Sequence, residues 1–278
     1  MKNVSRKFLT LIALAVIFSA CGPVSRLMKT QNSEEMYQYA LKMYQEKKYD
    51  KAIALFDMVD YVYMGTMRED TISFYTAVSY FQQRDYYTAN ELLQSFRRQF
   101  GRSPFIEEAE YLIAMGYYRL SPDPELDQVP TRMAILQFTE YLNRYPNSVK
   151  YEDVLDYIHE LQQKLYDKSF LNAKLYYDIG YYKSAIHTFK LALAEYPETT
   201  RREEILYLLT KASYIFAENS VETLQRRRYL DMMDAYIDLI SEYPETKYLK
   251  EVNGMYSKAQ GFLKGDEDGA DTTTELQE

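Results

Sequence analysis

The sequence is short of the residues that mark several common classes of protein. Its 278 residues include no tryptophan, one cysteine, two histidines, nine glycines and eight prolines. A single cysteine excludes a disulfide framework within the chain. The shortage of glycine and proline, together with the absence of alternating apolar runs bounded by turn residues, disfavours strands and predicts an all-helical protein.

Basic residues are also in deficit. The formal net charge is −8, and the first twenty residues hold three basic side chains and no acid, so the remaining chain carries −11. A surface with this balance repels the phosphate backbone of DNA or RNA. No nucleic-acid partner is therefore expected.

Side chains that could perform catalysis or bind a metal are scarce. His159 opens the string HELQQ, which begins like a zinc-protease helix, but Gln163 stands where the second histidine must be. We interpret His159 and His187 as surface or groove residues. Because a glycine-rich phosphate loop and a nucleophile motif are missing as well, we predict a binding protein with no metal, no cofactor and no enzyme activity.

What the sequence does contain is a repeat of helical hairpins. Residues 178–199, DIGYYKSAIHTFKLALAEYPET, place a small residue at Ala185, an aromatic residue at Phe189 and a proline at Pro197. This is the pattern of the second helix of a tetratricopeptide repeat, in which the small residue lets two helices cross closely. Less complete copies of this pattern occur at Ala52 and Phe56, Ala89 and Leu93, Ala134 with Phe138 and Pro146, and Met232 with Tyr236 and Pro244.

The first helix of each hairpin should carry a small residue at the same crossing. Ala40, Ala77 and Ala173 each stand twelve residues before the crossing alanine of their hairpin. Gly116 and Ala212 are the equivalents in the third and fifth hairpins, displaced by insertions. We therefore predict an all-α fold, a tetratricopeptide-repeat solenoid of five helical hairpins with a capping helix.

Glycine and proline positions set the boundaries of the first elements. Hairpins are predicted at 34–63, 70–100 and 106–145. The interval between Pro146 and Gly180 contains neither glycine nor proline, so one helix of about thirty residues is expected to join the third and fourth hairpins.

Both ends of the repeat domain, predicted at 34–264, have their own signals. Ser33 is the predicted N-cap of the first helix. A last amphipathic helix is expected at 247–263 and caps the array. The acidic segment 265–278 is predicted to be disordered.

The N-terminus has the layout of a bacterial lipoprotein signal. Basic residues precede an apolar run of thirteen residues at 8–20, which is too short to span a membrane, so 1–20 is predicted to be a signal peptide. Residues 18–21, Phe-Ser-Ala-Cys, resemble a lipobox, whose cysteine becomes the acylated first residue of the mature chain. The alternative is a chance cysteine after an ordinary signal peptide.

Cys21 is therefore predicted to carry fatty acyl groups such as palmitate and to anchor the chain through a polar tether at 21–33. Gly22, rather than an aspartate, follows the cysteine, which in lipoprotein sorting favours the outer membrane. No acidic cluster follows closely, which favours the periplasmic leaflet over the cell surface.

Taken in order, the lipobox, five hairpins, long helix and the strings RYPNS at 144–148 and EYPET at 195–199 resemble the BamD family. Its members are lipoprotein subunits of the machinery that folds β-barrel proteins into the bacterial outer membrane. The resemblance covers about 21–260 and is strongest over 109–209.

This resemblance implies a scaffold that binds the periplasmic POTRA domains of the barrel insertase BamA and receives unfolded outer-membrane proteins. The sequence departs from the family at 61–64, where a Tyr-Pro is usual, and at 218–225, where the fifth hairpin is lengthened. The alternative function is that of another periplasmic tetratricopeptide lipoprotein, one that coordinates cell-wall synthesis.

A substrate-binding groove is predicted from the geometry of hairpin arrays. Their concave surface is lined by positions three before, one after and four after the small residue of each first helix. In the first three hairpins all of these positions are apolar or aromatic, and such a lining normally marks a binding site. The predicted lining is Tyr37, Leu41, Tyr44, Phe74, Val78, Phe81, Ile113 and Tyr117, with Leu120 at the end.

The ligand implied for this groove is the aromatic-ended terminal strand of an unfolded barrel protein. The alternative is that the lining packs between hairpins or is covered by the chain's own tether. The same count from Ala173 gives Phe170, Lys174 and Tyr177. The apolar lining is thus predicted to thin towards the C-terminal half.

Overall fold

The computed structural model describes residues 32–275, with side chains to residue 264. The predicted signal peptide, Cys21 and the tether up to residue 31 lie outside the described residues. All regular secondary structure within 32–275 is helical, which confirms the all-α class. The helices are α1 Ser33–Gln45, α2 Tyr49–Tyr63, α3 Glu69–Gln82, α4 Tyr86–Gln99, α5 Ile106–Leu120, α6 Val129–Arg144, α7 Tyr151–Asp178, α8 Tyr182–Glu195, α9 Arg202–Glu218, α10 Glu222–Glu242 and α11 Leu249–Glu275.

Helices that follow each other in sequence pack against each other. Within hairpins α1 packs on α2, α3 on α4 and α9 on α10, and between hairpins α2 packs on α3 and α4 on α5. This confirms the predicted series of tetratricopeptide hairpins followed by a last helix. The chain divides into two compact units, which are described separately. The first comprises the chain up to Leu120 together with Met133–Tyr151, and the second comprises Ser121–Arg132 together with the chain from Glu152.

The crossing positions are all buried, as the repeat pattern predicts. The five on first helices are Ala40, Ala77, Gly116, Ala173 and Ala212, and those on second helices are Ala52, Ala89, Ala134, Ala185 and Met232. Apart from the glycine, each has no exposed surface. Where the buried residue is an alanine, close packing leaves little room for a larger side chain, whereas the fifth hairpin accommodates Met232.

Gly116 shows how tightly the third hairpin packs on the second. A Cβ atom at this position would lie 2.1 Å from Oδ1 of Asn90 on α4 and 2.8 Å from its Cγ. Asn90 is itself buried, and its amide nitrogen and oxygen have no hydrogen-bond partner in the described part of the chain. Packing of α4 on α5 therefore requires a glycine, and it leaves a desolvated amide against it.

A serine or threonine in each turn between hairpins joins two helices. Its side-chain oxygen accepts a hydrogen bond of 3.2–3.3 Å from the backbone N–H two residues later, which closes the turn that leads into the following helix. The five residues are Thr66, Ser103, Ser148, Thr199 and Thr246. In three turns the hydroxyl also donates to an acid at the start of the preceding hairpin: Ser103 to Asp70 at 2.8 Å, Ser148 to Glu107 at 2.8 Å and Thr246 to Glu203 at 2.6 Å.

The tight turns inside the first, second and fourth hairpins share one backbone geometry. Their first helices end in a left-handed residue, with φ of 59° at Lys47, 66° at Arg84 and 80° at Gly180. The N–H of the next residue then bonds to a carbonyl five residues earlier, at 2.8–3.1 Å. Only glycine adopts this conformation without steric cost, so Lys47 and Arg84 are strained where Gly180 is not.

The second unit is organised on α7, a helix of 28 residues that confirms the predicted long helix. The inserted segment Ser121–Arg132 packs against it. Lys164 donates to Oγ of Ser121 at 3.2 Å, and Lys168 donates to the carbonyl of Glu125 at 2.6 Å. The insertion that displaces the repeat spacing is thus a docked part of this unit.

Two predicted boundaries differ from the structure. The N-cap of α1 is Asn32 and not Ser33, because Oδ1 of Asn32 accepts from the N–H of Glu34 at 3.2 Å and of Glu35 at 3.3 Å. The last helix begins at Leu249 and continues to Glu275. The backbone at 265–275 is therefore helical, although the acidic composition predicts disorder there; no proline interrupts the segment.

Candidate functional site

The eight predicted groove residues all lie on α1, α3 and α5, the first helices of the first unit. The structure divides them into two sets by exposure. Tyr37, Phe74, Val78 and Ile113 are buried, whereas Leu41, Tyr44, Phe81 and Tyr117 are half-buried. Only the half-buried set can touch a ligand without opening the hairpins, and its substrate role remains a prediction.

The position three before the small residue faces a neighbouring turn or hairpin rather than an open groove. Phe74 stacks on Phe105 with ring centroids 4.6 Å apart and planes within 9°. Tyr37 packs 5.5 Å from the ring of Tyr63 and 4.7 Å from the guanidinium of Arg68. These side chains stabilise the contact between hairpins, as in the alternative interpretation of the lining.

The half-buried aromatic residues belong to a pair that recurs at the tight hairpin turns. The first partner stands four residues after the crossing alanine, and the second stands at the start of the next helix. Their rings meet edge-on, which is a favoured aromatic geometry. The pairs are Tyr44 and Tyr49 at 5.7 Å, Phe81 and Tyr86 at 5.1 Å, and Tyr177 and Tyr182 at 5.7 Å.

Tyr44 is the member of the half-buried set that links two hairpins. Its ring also meets Tyr75 of α3 edge-on at 4.7 Å, and it packs against the apolar clusters of both hairpins. Burial, reinforced by the neighbouring phenols of Tyr75 and Tyr49, raises the pKa of Tyr44 to about 12. The residue is therefore neutral at physiological pH and offers an uncharged aromatic edge.

Phe81 and Tyr117 extend this surface along the same apolar cluster. Both pack against the buried side chains that hold the second and third hairpins together. The hydroxyl of Tyr117 accepts a hydrogen bond of 3.0 Å from the amide nitrogen of Gln94, which fixes the ring on α5. The half-buried residues are thus apolar surfaces on a supported framework, which suits extended apolar ligands.

One of the three corresponding positions on α7 carries a charge. Phe170 is buried with the guanidinium of Arg201 4.8 Å from its ring. Lys174, one residue after the crossing alanine, pairs with Asp178 at 2.6 Å. Tyr177 on α7 and Phe216 on α9, each four residues after a crossing alanine, are half-buried aromatic residues, so the thinning of the apolar lining stays a prediction.

A cavity in the second unit was not foreseen from the sequence. It has a volume of about 390 Å³ and lies between the inserted segment, α7 and the end of α8. Its walls combine Arg132 and Lys168 with Glu125, Asp127 and Glu195. Since the two signs of charge nearly cancel, the cavity favours neither an anion nor a cation.

Both histidines are exposed, which agrees with their interpretation as surface or groove residues. Across residues 32–264 no cluster of histidine, cysteine and acidic side chains is arranged to hold a metal ion. None of the described helices combines the length and apolar character needed to cross a bilayer.

Sequence comparison identifies the family. The profile of YfiO, described as an outer membrane lipoprotein, matches residues 29–228. The chain belongs to the BamD family of outer membrane lipoproteins. The matched segment includes α1 to α9, so it contains both the aromatic lining of the first unit and most of the second unit.

Individual relatives are distant. A BamD relative from Aquifex aeolicus is 24% identical over 264 residues, covering 93% of this chain and 86% of the relative. The outer membrane protein assembly factor BamD of Rickettsia prowazekii is 25% identical over 177 residues, covering 64% and 70%. Among solved structures, the TPR domain of P58(IPK) superposes with a TM-score of 0.40 at 14% identity, covering 87% of this chain and 68% of that one. The repeat assignment rests on the hairpins of this chain.

Proposed function

We propose that the chain is a lipid-anchored scaffold of the β-barrel assembly machinery on the periplasmic leaflet of the outer membrane. The observation that carries the proposal is the family match over 29–228. The names of the relatives, outer membrane protein assembly factors, support it. The role is binding rather than catalysis, and it has three parts: an anchor, a substrate surface and a docking surface.

The anchor is the acylated Cys21, followed by a tether that enters α1. Several acyl chains on one residue hold a protein stably on a membrane, whereas a single chain does not. Cys21→Ala should release the chain into the soluble periplasmic fraction. Retention of this variant in the membrane pellet after a high-salt wash would contradict the anchor.

The substrate surface is the half-buried set of the first unit, Leu41, Tyr44, Phe81 and Tyr117. An unfolded barrel protein presents extended segments in which apolar side chains alternate with polar ones. Such a segment can place its apolar side chains against the exposed ring edges while its backbone stays extended. Neutral, well-supported rings lose little conformational freedom on binding, which favours affinity.

The docking surface for the POTRA domains of a BamA-like insertase is assigned to the second unit. On α10, Leu230 and Ile237 stand seven residues apart, on one face of the helix, and about half of each side chain is exposed. Exposed apolar side chains in register on a helix commonly mark a contact with another protein.

Co-purification tests the proposal. The tagged chain is extracted from membranes in detergent, and the proteins that accompany it are identified. Leu230→Asp with Ile237→Asp serves as the docking variant, and Leu191→Asp, an exposed leucine of α8 in the same unit, is the matched control. A barrel insertase should accompany the native and control chains and be lost from the docking variant. Recovery of cell-wall enzymes without an insertase would favour the other lipoprotein function.

A further inference from the structure

The outer face of α2 carries an apolar stripe that the proposed function does not use. Met58, Tyr61 and Val62 follow helical three-and-four spacing, and Met64 and Met67 continue the stripe in the turn after α2. All five are exposed, Tyr61 by 82% and Met67 by 96%. Five large apolar side chains in succession are a substantial unpartnered surface. We call these five residues the α2 stripe.

The turn that presents the end of the stripe is ordered. Gly65 adopts a left-handed φ of 76°, and its N–H donates to Oε2 of Glu69 at 2.6 Å. The hydroxyl of Thr66 donates to the carbonyl of Tyr63 at 2.6 Å. Met64 and Met67 are therefore held outwards by a hydrogen-bonded turn.

Two carboxylates flank the stripe without a partner. Asp57 and Asp60 stand on α2 beside Met58 and Tyr61, and neither has an ion pair or a hydrogen bond with any described side chain. Partial burial, reinforced by the charge of Asp60, raises the pKa of Asp57 above its ordinary value. A cation placed here would relieve this cost.

The N-terminal end of α1 lies next to the C-terminal end of the stripe. The hydroxyl of Tyr63 donates to Oε2 of Glu34 at 3.1 Å, and Arg68 forms an ion pair with the same carboxylate. The chain that precedes residue 32 therefore joins α1 next to the end of α2, close to Tyr63 and Arg68. Any segment of that chain that turned back would run along α2.

The composition of the preceding segment complements the stripe. Residues 22–31 read GPVSRLMKTQ and contain no acid. Val24, Leu27 and Met28 are apolar and match the apolar side chains, while Arg26 and Lys29 match the two unpaired carboxylates. The reach is sufficient, because Met28 stands four residues before Asn32 and an extended chain spans about 3.3–3.6 Å per residue.

We propose that residues 24–29 pack along the α2 stripe, with their apolar side chains on Tyr61, Val62 and Met64 and with Arg26 and Lys29 paired to Asp57 and Asp60. The ten residues between Cys21 and Asn32 then no longer act as a free tether that reaches about 40 Å. With Cys21 acylated, on which this step rests as part of the proposed function, only residues 22 and 23 separate the anchor from the packed segment. The first hairpin is thereby held close to the membrane in a defined orientation.

Disulfide formation in cells tests this contact on the full chain. Leu27→Cys is combined with Val62→Cys, and acylated Cys21 offers no free thiol, so the two introduced cysteines are the reactive ones. The matched control combines Leu27→Cys with Tyr87→Cys, an exposed tyrosine of α4. An intramolecular disulfide in the first pair, several-fold above the control, supports the proposal. Equal yields in the two pairs overturn it.

Charge reversal separates specific packing from chance encounters. Arg26→Glu with Lys29→Glu should lower the disulfide yield several-fold, and adding Asp57→Lys with Asp60→Lys should restore it. A disulfide yield that stays the same after both sets of substitutions contradicts the ion pairs. A photoreactive side chain at Tyr61 gives an independent readout: adducts within the chain support the contact, whereas adducts mainly to lipid or to a second polypeptide overturn it. Loss of acylation is recognised separately, because the chain then leaves the membrane fraction.

Discussion

The two units use one hairpin design and differ in what that design presents to solvent. Tyr44 with Tyr49 in the first unit, and Tyr177 with Tyr182 in the second, form the same edge-on pair at 5.7 Å. The residue one position after the crossing alanine is Leu41 in one case and Lys174, paired with Asp178, in the other. Packing at the turn is thus set by the repeat, while the adjacent exposed positions decide which chemistry each unit can bind.

Two ion pairs of the second unit join helices through residues that are distant in sequence. Arg202 contacts both carboxylate oxygens of Glu242, at 2.6 and 2.8 Å, and Lys211 pairs with Glu251 at 2.8 Å. A bidentate guanidinium pair fixes geometry as well as charge. In the proposed function the first unit binds the extended apolar ligand and the second binds the folded partner.

The largest loss of stability is expected at Gly116, where α5 packs closely on Asn90 of α4. Gly116→Ala places a Cβ against the amide of Asn90, so it should cost about 3 kcal/mol of unfolding free energy, measured in urea. Asn90→Ala should cost much less, because both unpaired amide atoms leave together. The double variant should recover most of the loss, and failure of this rescue would contradict the crossing geometry.

The second unit offers the counterpart at Ala185, where the buried alanine has no exposed surface. Ala185→Leu should force α7 and α8 apart and cost about 1–3 kcal/mol by overpacking. Ala194→Leu, at an exposed alanine of α8, is the control and should leave stability within about 0.5 kcal/mol. An unchanged melting temperature for Ala185→Leu would sink the assignment of the crossing.

Matched substitutions in the two units should differ in their effect on peptide binding. Tyr44→Ala with Phe81→Ala should weaken capture of a peptide with an aromatic-ended barrel strand by about 1–3 kcal/mol, because exposed ring surface is lost. The matched variant, Tyr177→Ala with Tyr182→Ala, removes the same edge-on geometry from the second unit and should leave peptide affinity unchanged. Fluorescence titration measures both. Equal losses would mean that the aromatic pair acts through folding alone.

The strained turns predict a smaller gain in stability. Lys47→Gly should stabilise the first hairpin by about 1 kcal/mol, because glycine adopts the left-handed conformation without a Cβ clash. Gly180→Ala in the second unit should destabilise by a similar amount. Thermal unfolding measures both changes, and a destabilising Lys47→Gly would show that the side chain makes a contact worth more than the strain.

The smallest effect concerns pH. The hydrogen bond from Lys211, helped by that from Tyr207, lowers the pKa of Glu251 below its ordinary value of 4.5. Because the folded pKa is the lower one, the pair stabilises the fold fully above pH 4.5 and loses this contribution as pH falls through the folded value. The group is partly exposed, so the contribution should be below about 1 kcal/mol.

Glu251→Gln should flatten the stability profile of the second unit between pH 5 and the lowered pKa. Glu34→Gln is the comparison in the first unit, since Arg68 lowers the pKa of Glu34 to about 2. If Glu251→Gln leaves the acid limb of the unfolding curve as steep as before, the ion pair has no stabilising role.

The crossings could be predicted from the sequence because a buried crossing requires a small residue. Alanines such as Ala40 and Ala185 therefore recur at fixed intervals. Sequence reasoning placed Gly116 correctly but could not foresee Asn90, since that contact depends on which side chain of α4 faces the glycine. It also could not separate Phe74 from Phe81. Both are aromatic residues of α3, and Phe74 is buried because the turn that holds Phe105 lies against it.

Docking of the insertion at 121–132 on α7 could not be predicted either. Its contacts come from Lys164 and Lys168, whose long side chains read as solvated on a helix surface. The N-cap differed for a local reason: Asn32 and Ser33 are both good caps, and Oδ1 of the Asn32 side chain accepts from two N–H groups.

Photo-crosslinking from equivalent positions of the two units tests the central claim most directly. Leu41 and Lys174 each follow a crossing alanine, and each is replaced by a photoreactive amino acid in the full chain in living cells. Position 41 should give adducts with newly exported outer-membrane β-barrel proteins, and position 174 should give few. Equal adducts from both positions, or adducts from position 174 alone, would contradict the assignment of substrate binding to the first unit.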